Sequence, residues 1–306
     1  MNELFLVFAN NIVALVICIV IGYVCRRKHM LNDTHTAGIS SLLVNVAMPA
    51  SMFMSLMRPF STELLLESAA TFFIVSIIFL LGGVAGLALA RLLKASTSET
   101  PCWQFGVAFG NVGFMGIPIV SAVFGYEGLF YVATTLASFH MITFTIGVRM
   151  FGVRDMGGPL KIILRNPALM ATFIGFGFFV SGLRLPAALE GGVSLIAGMT
   201  SPISMIIIGT ILARQRLRET LTNFKVLPPV GMRLLFIPLL SLLVLRWFVS
   251  NPLMLGVIVT LMAMPPAAAT VIFAEQFDGD AVAAAQIVVV GTLLCIITVP
   301  AISLLL

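Results

Sequence analysis

Long apolar segments separated by short polar or Pro/Gly-rich breaks make up nearly the whole chain. An apolar run of roughly 20 residues is long enough to cross the hydrocarbon core of a bilayer as a helix. Runs of this kind predict ten spans, near residues 4–25, 36–57, 64–93, 103–124, 127–148, 167–183, 192–213, 229–249, 253–273 and 281–304. The hydrophobic pattern therefore predicts an all-α integral membrane protein with ten transmembrane helices.

Composition supports the same class. Of the 306 residues, 60% are hydrophobic and only 9% are charged, and the mean hydropathy is +1.13. A soluble domain carries about 25% charged residues because its surface must face water, so the sequence leaves no room for one. The run from Leu4 to Cys25 has no basic segment before it and is too long for a signal peptide, so we interpret it as the first span.

Basic residues fall mostly on one side of the predicted spans. Fourteen lie on the side of the odd-numbered loops and three on the other side. The first set is Arg26, Arg27, Lys28, Arg91, Lys94, Arg149, Arg154, Lys161, Arg165, Arg214, Arg216, Arg218, Lys225 and Arg233, and the second is Arg58, Arg184 and Arg246. Arg233 lies one turn inside the eighth span, and we expect its side chain to snorkel back to the basic side.

This bias predicts the orientation in the membrane. Because loops rich in Lys and Arg stay in the cytoplasm, the odd loops are predicted to be cytoplasmic. Both termini would then lie outside, in the periplasm, with the protein in the cell inner (plasma) membrane. The net charge of +5 comes from the same asymmetry, and it indicates a membrane surface and not nucleic acid as the partner.

The longest polar break, residues 149–166, divides the ten spans into two sets of five. An odd number of spans per half places the second half upside down in the membrane, which is the arrangement of inverted repeats. A Pro-x-Ser-Met segment begins at Pro49 in span 2 and at Pro202 in span 7, and spans 4 and 9 both carry prolines. The sequence therefore predicts a first repeat over 1–150, a cytoplasmic linker over 151–166 and an inverted second repeat over 167–306.

Span 4 is rich in residues that disrupt a helix. Between Gly106 and Pro118 it holds four glycines, Asn111 and the proline itself. Proline removes a backbone hydrogen bond and fits the first turn of a new helix. Pro118 and, in span 9, Pro266 are therefore predicted to begin the second halves of two broken helices near the middle of the membrane. The free N–H groups and positive dipole ends of such half-helices favour an anion between them.

Glycines and prolines are also common in membrane helices for packing alone. We interpret the small-xxx-small pair Gly82 and Gly86 in span 3 in that way. For the glycine–asparagine–proline run of span 4, matched by the two prolines of span 9, we favour a binding site over simple packing.

Polar residues inside the predicted spans are neutral. All twelve carboxylates lie in loops or at span ends, whereas a cation exchanger normally carries a buried carboxylate. The neutral groups are Asn45, Ser51, Asn111, Ser201, Ser204 and Thr270. Amides and hydroxyls can hydrogen-bond a carboxylate, and each can equally bond to a neighbouring helix. Their position beside the prolines favours an anion site.

His140 is the titratable residue near the middle of a span. Histidine has an unperturbed pKa of about 6.5, which suits a proton carrier, so His140 is a candidate for proton coupling. The alternative is a neutral histidine bonded to a neighbouring helix. The four cysteines show no CxxC spacing, and we interpret them as small apolar side chains and not as a metal site. The sequence contains no hydrolase, nucleotide-loop or metal motif, so it gives no support to an enzyme.

Three segments resemble the auxin efflux carrier family. Residues 43–50 (LVNVAMPA) resemble the N-x-x-x-P-A pattern of that family's second helix, and residues 110–118 (GNVGFMGIP) resemble its fourth-helix signature. Residues 264–267 (MPPA) resemble its ninth helix. The resemblance extends span for span over the whole chain, and the fourth-helix motif is the specific one. The chain differs from the plant members in having only the short basic segment 149–166 in place of a long cytoplasmic loop.

The resemblance implies two inverted five-helix repeats, a fold related to sodium/proton antiporters and bile-acid symporters, with crossed broken helices 4 and 9 and an elevator-like motion. It also implies an organic acid as substrate, since bacterial relatives are usually described as malonate or malate permeases and plant members export the carboxylate auxin. By this resemblance the crossover is formed by Asn111, Pro118, Pro265 and Pro266, and the wall of the second helix by Asn45, Pro49 and Ser51. The full candidate substrate-binding set is Asn45, Pro49, Ser51, Asn111, Gly113, Pro118, Ser201, Pro202, Ser204, Pro265, Pro266 and Thr270.

The sequence therefore predicts a secondary active transporter of a small organic anion, a malonate- or malate-like mono- or dicarboxylate, working by elevator-type alternating access. Proton coupling is the leading hypothesis and sodium coupling the alternative; no cofactor is expected beyond such a gradient. A non-transporting membrane sensor is the competing class, and the short loops count against it. A channel would need a ring of pore-lining charges, which the sequence lacks. The expected partners are the anion and the lipid bilayer, and a homodimer is left open.

Overall fold

The helices occupy almost all of the chain that a computed structural model describes, residues 2–152, 166–214 and 217–306. In these ranges the regular secondary structure is helical, apart from one isolated bridge between Gly110 and Pro266. The helices are α1 (Asn2–Arg27), α2 (Asp33–Leu56), α3 (Thr62–Leu92), α4 (Glu99–Ala108), α5 (Val112–Met150), α6 (Pro167–Ser181), α7 (Ala187–Arg214), α8 (Leu217–Thr222), α9 (Phe224–Leu245), α10 (Pro252–Met262), α11 (Ala269–Gln276) and α12 (Ala281–Ser303). The linker predicted for 151–166 falls almost entirely outside the described residues.

Six of the described helices are long and apolar enough to cross a membrane, judged by length and composition. They are α2, α3, α5, α7, α9 and α12, and α6 and α10 are shorter apolar helices. The predicted all-helical membrane class is therefore confirmed, whereas the count of ten spans stays a prediction. The fourth and fifth predicted spans meet inside α5, where Gly125 interrupts the helix with φ 64° and ψ −160°. Glycine suits this position because a positive φ is strained for other residues.

Three helices contain a π-helical turn just before a proline. The turns are Leu43–Ala47, Val112–Gly116 and Met232–Phe236, and the prolines that follow are Pro49, Pro118 and Pro238. Proline has no N–H to donate, and its ring displaces the carbonyl group four residues earlier. A wider π turn absorbs this misfit while the helix continues. These prolines therefore lie inside continuous helices.

Glycines allow α3 and α4 to pack closely. A Cβ atom added at Gly82 would lie 3.1 Å from the Cα of Ala108, and one added at Gly86 would lie 2.9 Å from the Cα of Gln104. The packing role predicted for the two glycines agrees with these contacts, because a larger side chain at either position would push the helices apart.

The crossing of α1 and α7 is closer still. A Cβ atom added at Gly22 would overlap the carbonyl oxygen of Ile206, and one added at Gly209 would overlap the carbonyl oxygen of Ile19. The two backbones are in direct contact, so each of these positions has space for glycine alone.

The described helices pack mainly in two groups. In the first, which we call the frame group, α1 packs on α7, and α2 packs on α6 and α7. In the second, the crossover group, α3 packs on α4 and α5, α10 packs on α5 and α9, and α12 packs on α4 and α11. Helix α5 also contacts α1, α2 and α7 and so connects the groups.

Within the frame group a hydrogen bond joins α2 and α7 close to the two Pro-x-Ser-Met segments. The hydroxyl group of Thr200 in α7 donates a hydrogen bond of 2.9 Å to the carbonyl oxygen of Ala47 in α2. Each of these residues lies two positions before the proline of its own Pro-x-Ser-Met segment. Helix α7 also packs against the π turn Val112–Gly116 at the start of α5. The frame group therefore covers the beginning of that helix.

Candidate functional site

Two helical runs of the crossover group are interrupted by extended segments. Helix α4 ends at Ala108 and α5 begins at Val112. Helix α10 ends at Met262 and α11 begins at Ala269. Each interruption exposes the last carbonyl groups of one half-helix and the first N–H groups of the next, and these groups need new partners.

The two extended segments supply partners to each other. The N–H group of Asn111 donates to the carbonyl oxygen of Pro265 at 2.7 Å, and the N–H group of Ala267 donates to that of Phe109 at 2.9 Å. Between these bonds, residues 110 and 266 form an isolated antiparallel bridge. Irregular backbone at membrane depth is tolerated where it is buried in protein. The segments 109–111 and 263–268 together form what we call the crossover.

The second half-helices do not begin at the predicted prolines. Helix α5 begins six residues before Pro118, because the side-chain oxygen of Asn111 accepts a hydrogen bond of 3.2 Å from the N–H group of Phe114 and caps the helix. Pro266 lies in the bridge itself, and α11 begins three residues after it. The prediction that Pro118 and Pro266 are the first residues of the half-helices is therefore wrong, although both lie close to the breaks.

Arg233 of α9 extends into the crossover and is completely buried. Its Nε donates to the carbonyl oxygen of Met264 at 3.0 Å, and its Nη2 donates to that of Leu261 at 3.2 Å. Its Nη1 donates to the carbonyl oxygens of Ala108 at 3.1 Å and Val107 at 3.4 Å. One guanidinium group thus binds the carbonyl ends of both first half-helices, and the prediction that Arg233 snorkels to the membrane surface is wrong.

Gly110 makes room for this guanidinium group. A Cβ atom at Gly110 would overlap Nη2 of Arg233 and would lie 2.8 Å from its Cζ. The cation therefore lies directly against the backbone of the bridge, next to Asn111.

Carboxylates are absent from the buried residues of the described chain, and none of its ion pairs includes Arg233. The half-buried Glu67 of α3 accepts hydrogen bonds from Tyr131 at 2.6 Å and from Asn251 at 2.7 Å. Asn251 caps the far end of α10, about 16 Å from the crossover at 1.5 Å per residue. The crossover therefore combines one cation with two helix N-termini and no described negative side chain nearby.

Two neutral polar side chains at the crossover keep donors without partners. Asn111 is 7% exposed, and its Nδ2 group has no hydrogen-bond partner among the described residues. Thr270, in the first turn of α11, is completely buried, and its hydroxyl group likewise has no partner in the described part of the chain. Pro265 and Pro266, also predicted for the site, lie between them in the bridge.

The candidate substrate-binding residues of α2 belong to the frame group. Asn45 is exposed and donates to the carbonyl oxygen of Ser41 at 2.9 Å, so its amide bonds to its own helix. Pro49 is half-buried and Ser51 is buried. The connection to the crossover group is made by Gly113, where an added Cβ atom would lie 2.8 Å from Cε of Met48.

The candidate substrate-binding residues of α7 also belong to the frame group. Ser204 is buried and its hydroxyl group donates to the carbonyl oxygen of Thr200 in its own helix. Ser201 is half-buried and Pro202 is exposed. The structure therefore brings Asn111, Pro265 and Pro266 together at the crossover, whereas Pro118 lies six residues inside α5. The predicted α2 and α7 residues lie on helices of the frame group.

His140 lies on α5 away from the bridge. Its Nδ1 lies 2.8 Å from the carbonyl oxygen of Leu136, one turn earlier in the same helix. Since a carbonyl oxygen only accepts, Nδ1 carries the proton. The ring lies parallel to that of Phe144, with centroids 6.4 Å apart. Because this bond stays within α5, it tests neither interpretation made from the sequence. Those interpretations are a proton carrier and a neutral histidine bonded to a neighbouring helix.

Comparison with known protein families gives a match over nearly the whole chain. A family model described as "Membrane transport protein" matches residues 7–162 and 154–303. An uncharacterized transporter of Methanothermobacter thermautotrophicus is 24% identical, over 97% of this chain and 98% of the relative. The uncharacterized transporter YfdV of Escherichia coli K12 is 20% identical over 89% and 88%. A Rhizobium meliloti protein named "Putative malonate transporter" is 22% identical over 92% and 90%.

Proposed function

Since the chain belongs to the membrane transport protein family, that of the auxin efflux carriers which its motifs resemble, we propose that it is a secondary active transporter of a small organic anion. The observation that carries this proposal is the buried guanidinium group of Arg233 at a crossover without a described carboxylate nearby. An ionisable residue at membrane depth is expensive to bury and marks a functional site by default. A site with this charge attracts anions and repels cations.

The proposed substrate is a mono- or dicarboxylate similar to malonate or malate. The amide of Asn111 and the hydroxyl group of Thr270 are donors that could bind carboxylate oxygens. The N–H groups at the starts of α5 and α11 add to this set. The name of the Rhizobium meliloti relative supports malonate as the first compound to test.

The proposed mechanism is elevator-type alternating access in a fold of ten spans. Residues 1–150 and 167–306 would form inverted five-helix repeats joined by the linker 151–166, with both termini periplasmic in the inner membrane. The division into a frame group and a crossover group supports this proposal, because an elevator motion moves one group of helices along another. The proposed driving force is a proton gradient, with His140 as the coupling candidate and sodium coupling as the alternative.

The decisive experiment is uptake of labelled malonate into vesicles containing the purified protein. We expect saturable uptake that increases with an inward proton gradient. Asn111→Ala should weaken it by removing a donor, and Asn111→Asp should abolish it by placing a negative charge in the site. Asn223→Ala is the matched control, because Asn223 donates to Gln286 at 2.6 Å and lies outside the proposed site.

Several outcomes would overturn parts of the proposal. Uptake that is equal in wild type and Asn111→Asp would exclude the crossover as the anion site. Saturable malonate binding without net flux would favour the sensor. Uptake driven by a sodium gradient alone would replace proton coupling by sodium coupling, and His140→Gln would then leave the ion dependence unchanged.

A further inference from the structure

Arg233 binds a particular kind of partner: carbonyl groups at the C-terminal ends of half-helices. Val107 and Ala108 are the last residues of α4, and Leu261 is in the last turn of α10. A helix C-terminus carries a partial charge of roughly −0.5. Two such ends together approximate the single positive charge of the guanidinium group, so Arg233 cancels the negative ends of α4 and α10.

The N-terminal ends of the other two half-helices have no such compensation. Helix α5 begins at Val112 and α11 begins at Ala269, and each start carries a partial positive charge of about +0.5. With the negative ends cancelled by Arg233, the crossover as a whole is positive. Without this side chain, the dipoles of the four half-helices would sum to about zero.

We propose that Arg233 is a positioning residue that makes the crossover selective for anions, by neutralising the C-terminal ends of α4 and α10 so that the N-terminal ends of α5 and α11 act on a bound carboxylate. This inference rests on the proposed function, since it assigns the charge preference of the same site. Arg233 acts through the half-helices and does not need to touch the anion.

A simple mechanical link between the half-helices would not require a charge. Neutral amide donors also bond to carbonyl oxygens, whereas a buried cation without a carboxylate partner carries a large desolvation cost. Arginine has five donors in a planar fork, and Arg233 uses its three nitrogen atoms on four carbonyl groups, three at the ends of α4 and α10 and one in the extended segment that follows α10. Its complete burial keeps water from screening the charge.

Two unpartnered side chains point independently to a ligand. Asn111 and Thr270 are both at least nine-tenths buried as residues, and the Nδ2 group of Asn111 and the hydroxyl group of Thr270 lack hydrogen-bond partners among the described residues. The hydroxyl oxygen of Thr270 is itself buried. Buried donors are normally satisfied. A carboxylate accepts hydrogen bonds from amide and hydroxyl donors, and its charge is opposite to that of the crossover.

The test compares three probes that differ in charge: malonate, its monomethyl ester and its dimethyl ester. Binding to the purified full-length protein is measured by calorimetry, for wild type, Arg233→Lys, Arg233→Gln and Arg233→Met. We expect wild type to prefer malonate over the dimethyl ester by at least about 100-fold, and Gln and Met to reduce this ratio at least about tenfold. Arg233→Lys should keep most of the ratio, because it keeps the charge.

A purely structural role predicts a different result. The variants would then melt at lower temperatures, but the ratio of malonate to dimethyl ester binding would be the same in every variant that folds, which would overturn the proposal. Failure of wild type to bind any of the three probes would overturn the proposed function as well, so the two failures are distinguishable.

A second pair of variants decides the question if Arg233 cannot be replaced without loss of folding. Thr270→Asp keeps Arg233 and adds a negative charge in the first turn of α11, where a helix tolerates an acidic residue. Thr270→Asn has a similar shape and no charge. We expect malonate to bind at least about tenfold more weakly to the Asp variant than to the Asn variant. Equal binding by the two variants would overturn the proposal.

Discussion

Replacing Gly110 by alanine is a sharp test of the crossover geometry. The described glycines with a positive φ are Gly125, Gly152 and Gly182, so the backbone of Gly110 can accept a side chain without strain. The added methyl group would instead overlap Nη2 of Arg233 and lie 2.8 Å from Cζ, well inside normal contact. The guanidinium group therefore has to move.

The size of the effect follows from the bonds that this movement breaks. The four hydrogen bonds of Arg233 measure between 3.0 and 3.4 Å, so a shift of about 1 Å exceeds hydrogen-bond range for some of them. A hydrogen bond to a charged group contributes about 1.5–3 kcal/mol. Losing one or two of them should destabilise the protein by about 2–4 kcal/mol. At about 2–4 °C per kcal/mol, the melting temperature should fall by about 4–16 °C.

The assay is thermal melting of the purified protein in detergent, with Gly177→Ala as the matched control. A Cβ atom at Gly177 meets nothing within 4 Å, so that substitution should be neutral or stabilising by up to about 1 kcal/mol through helix propensity. In an Arg233→Met background, Gly110→Ala should lose most of its cost. The reasoning is refuted if Gly110→Ala melts like Gly177→Ala, or if its cost is the same with and without the guanidinium group.

Three further predictions concern contacts outside the crossover. Gly209→Ala should cost about 1–3 kcal/mol by overpacking against α1, whereas Gly38→Ala, with nothing within 4 Å, should not; equal melting temperatures would contradict the helix crossing. Asn251→Ala should cost about 1–3 kcal/mol, because it removes the cap of α10 and a partner of Glu67; unchanged melting would argue against that cluster. The N–H group of Ser96 donates to the carboxylate of Glu99 and lowers the pKa of this carboxyl group below its usual 4.5. The ionised carboxylate therefore stabilises the fold above pH 4.5, and this stabilisation is lost as the pH falls through the lowered pKa. The difference in melting temperature between wild type and Glu99→Gln should therefore be found at neutral pH and vanish in acid, and a difference independent of pH would contradict it.

The crossover shows which features of the site can be predicted from the sequence pattern. The run of glycines, Asn111 and Pro118 predicts a break in the fourth span, because these residues weaken a helix, and the two prolines at 265 and 266 predict a second break. The structure has both breaks and pairs them at Gly110 and Pro266. The exact helix starts were not predictable from proline alone, since a π turn allows Pro118 to sit inside a helix that Asn111 caps.

Composition and hydropathy by themselves determined the membrane class, because a chain with 9% charged residues cannot cover a water-facing surface. They could not determine the environment of a single charge. One turn inside a span, Arg233 is compatible in sequence with a side chain that reaches the membrane surface. Only the tertiary structure shows it pointing inward, because the carbonyl groups that bind it come from residues 107–108 and 261–264, far away along the chain. A buried cation needs hydrogen-bond acceptors around it, and only the folded structure brings these carbonyl groups together.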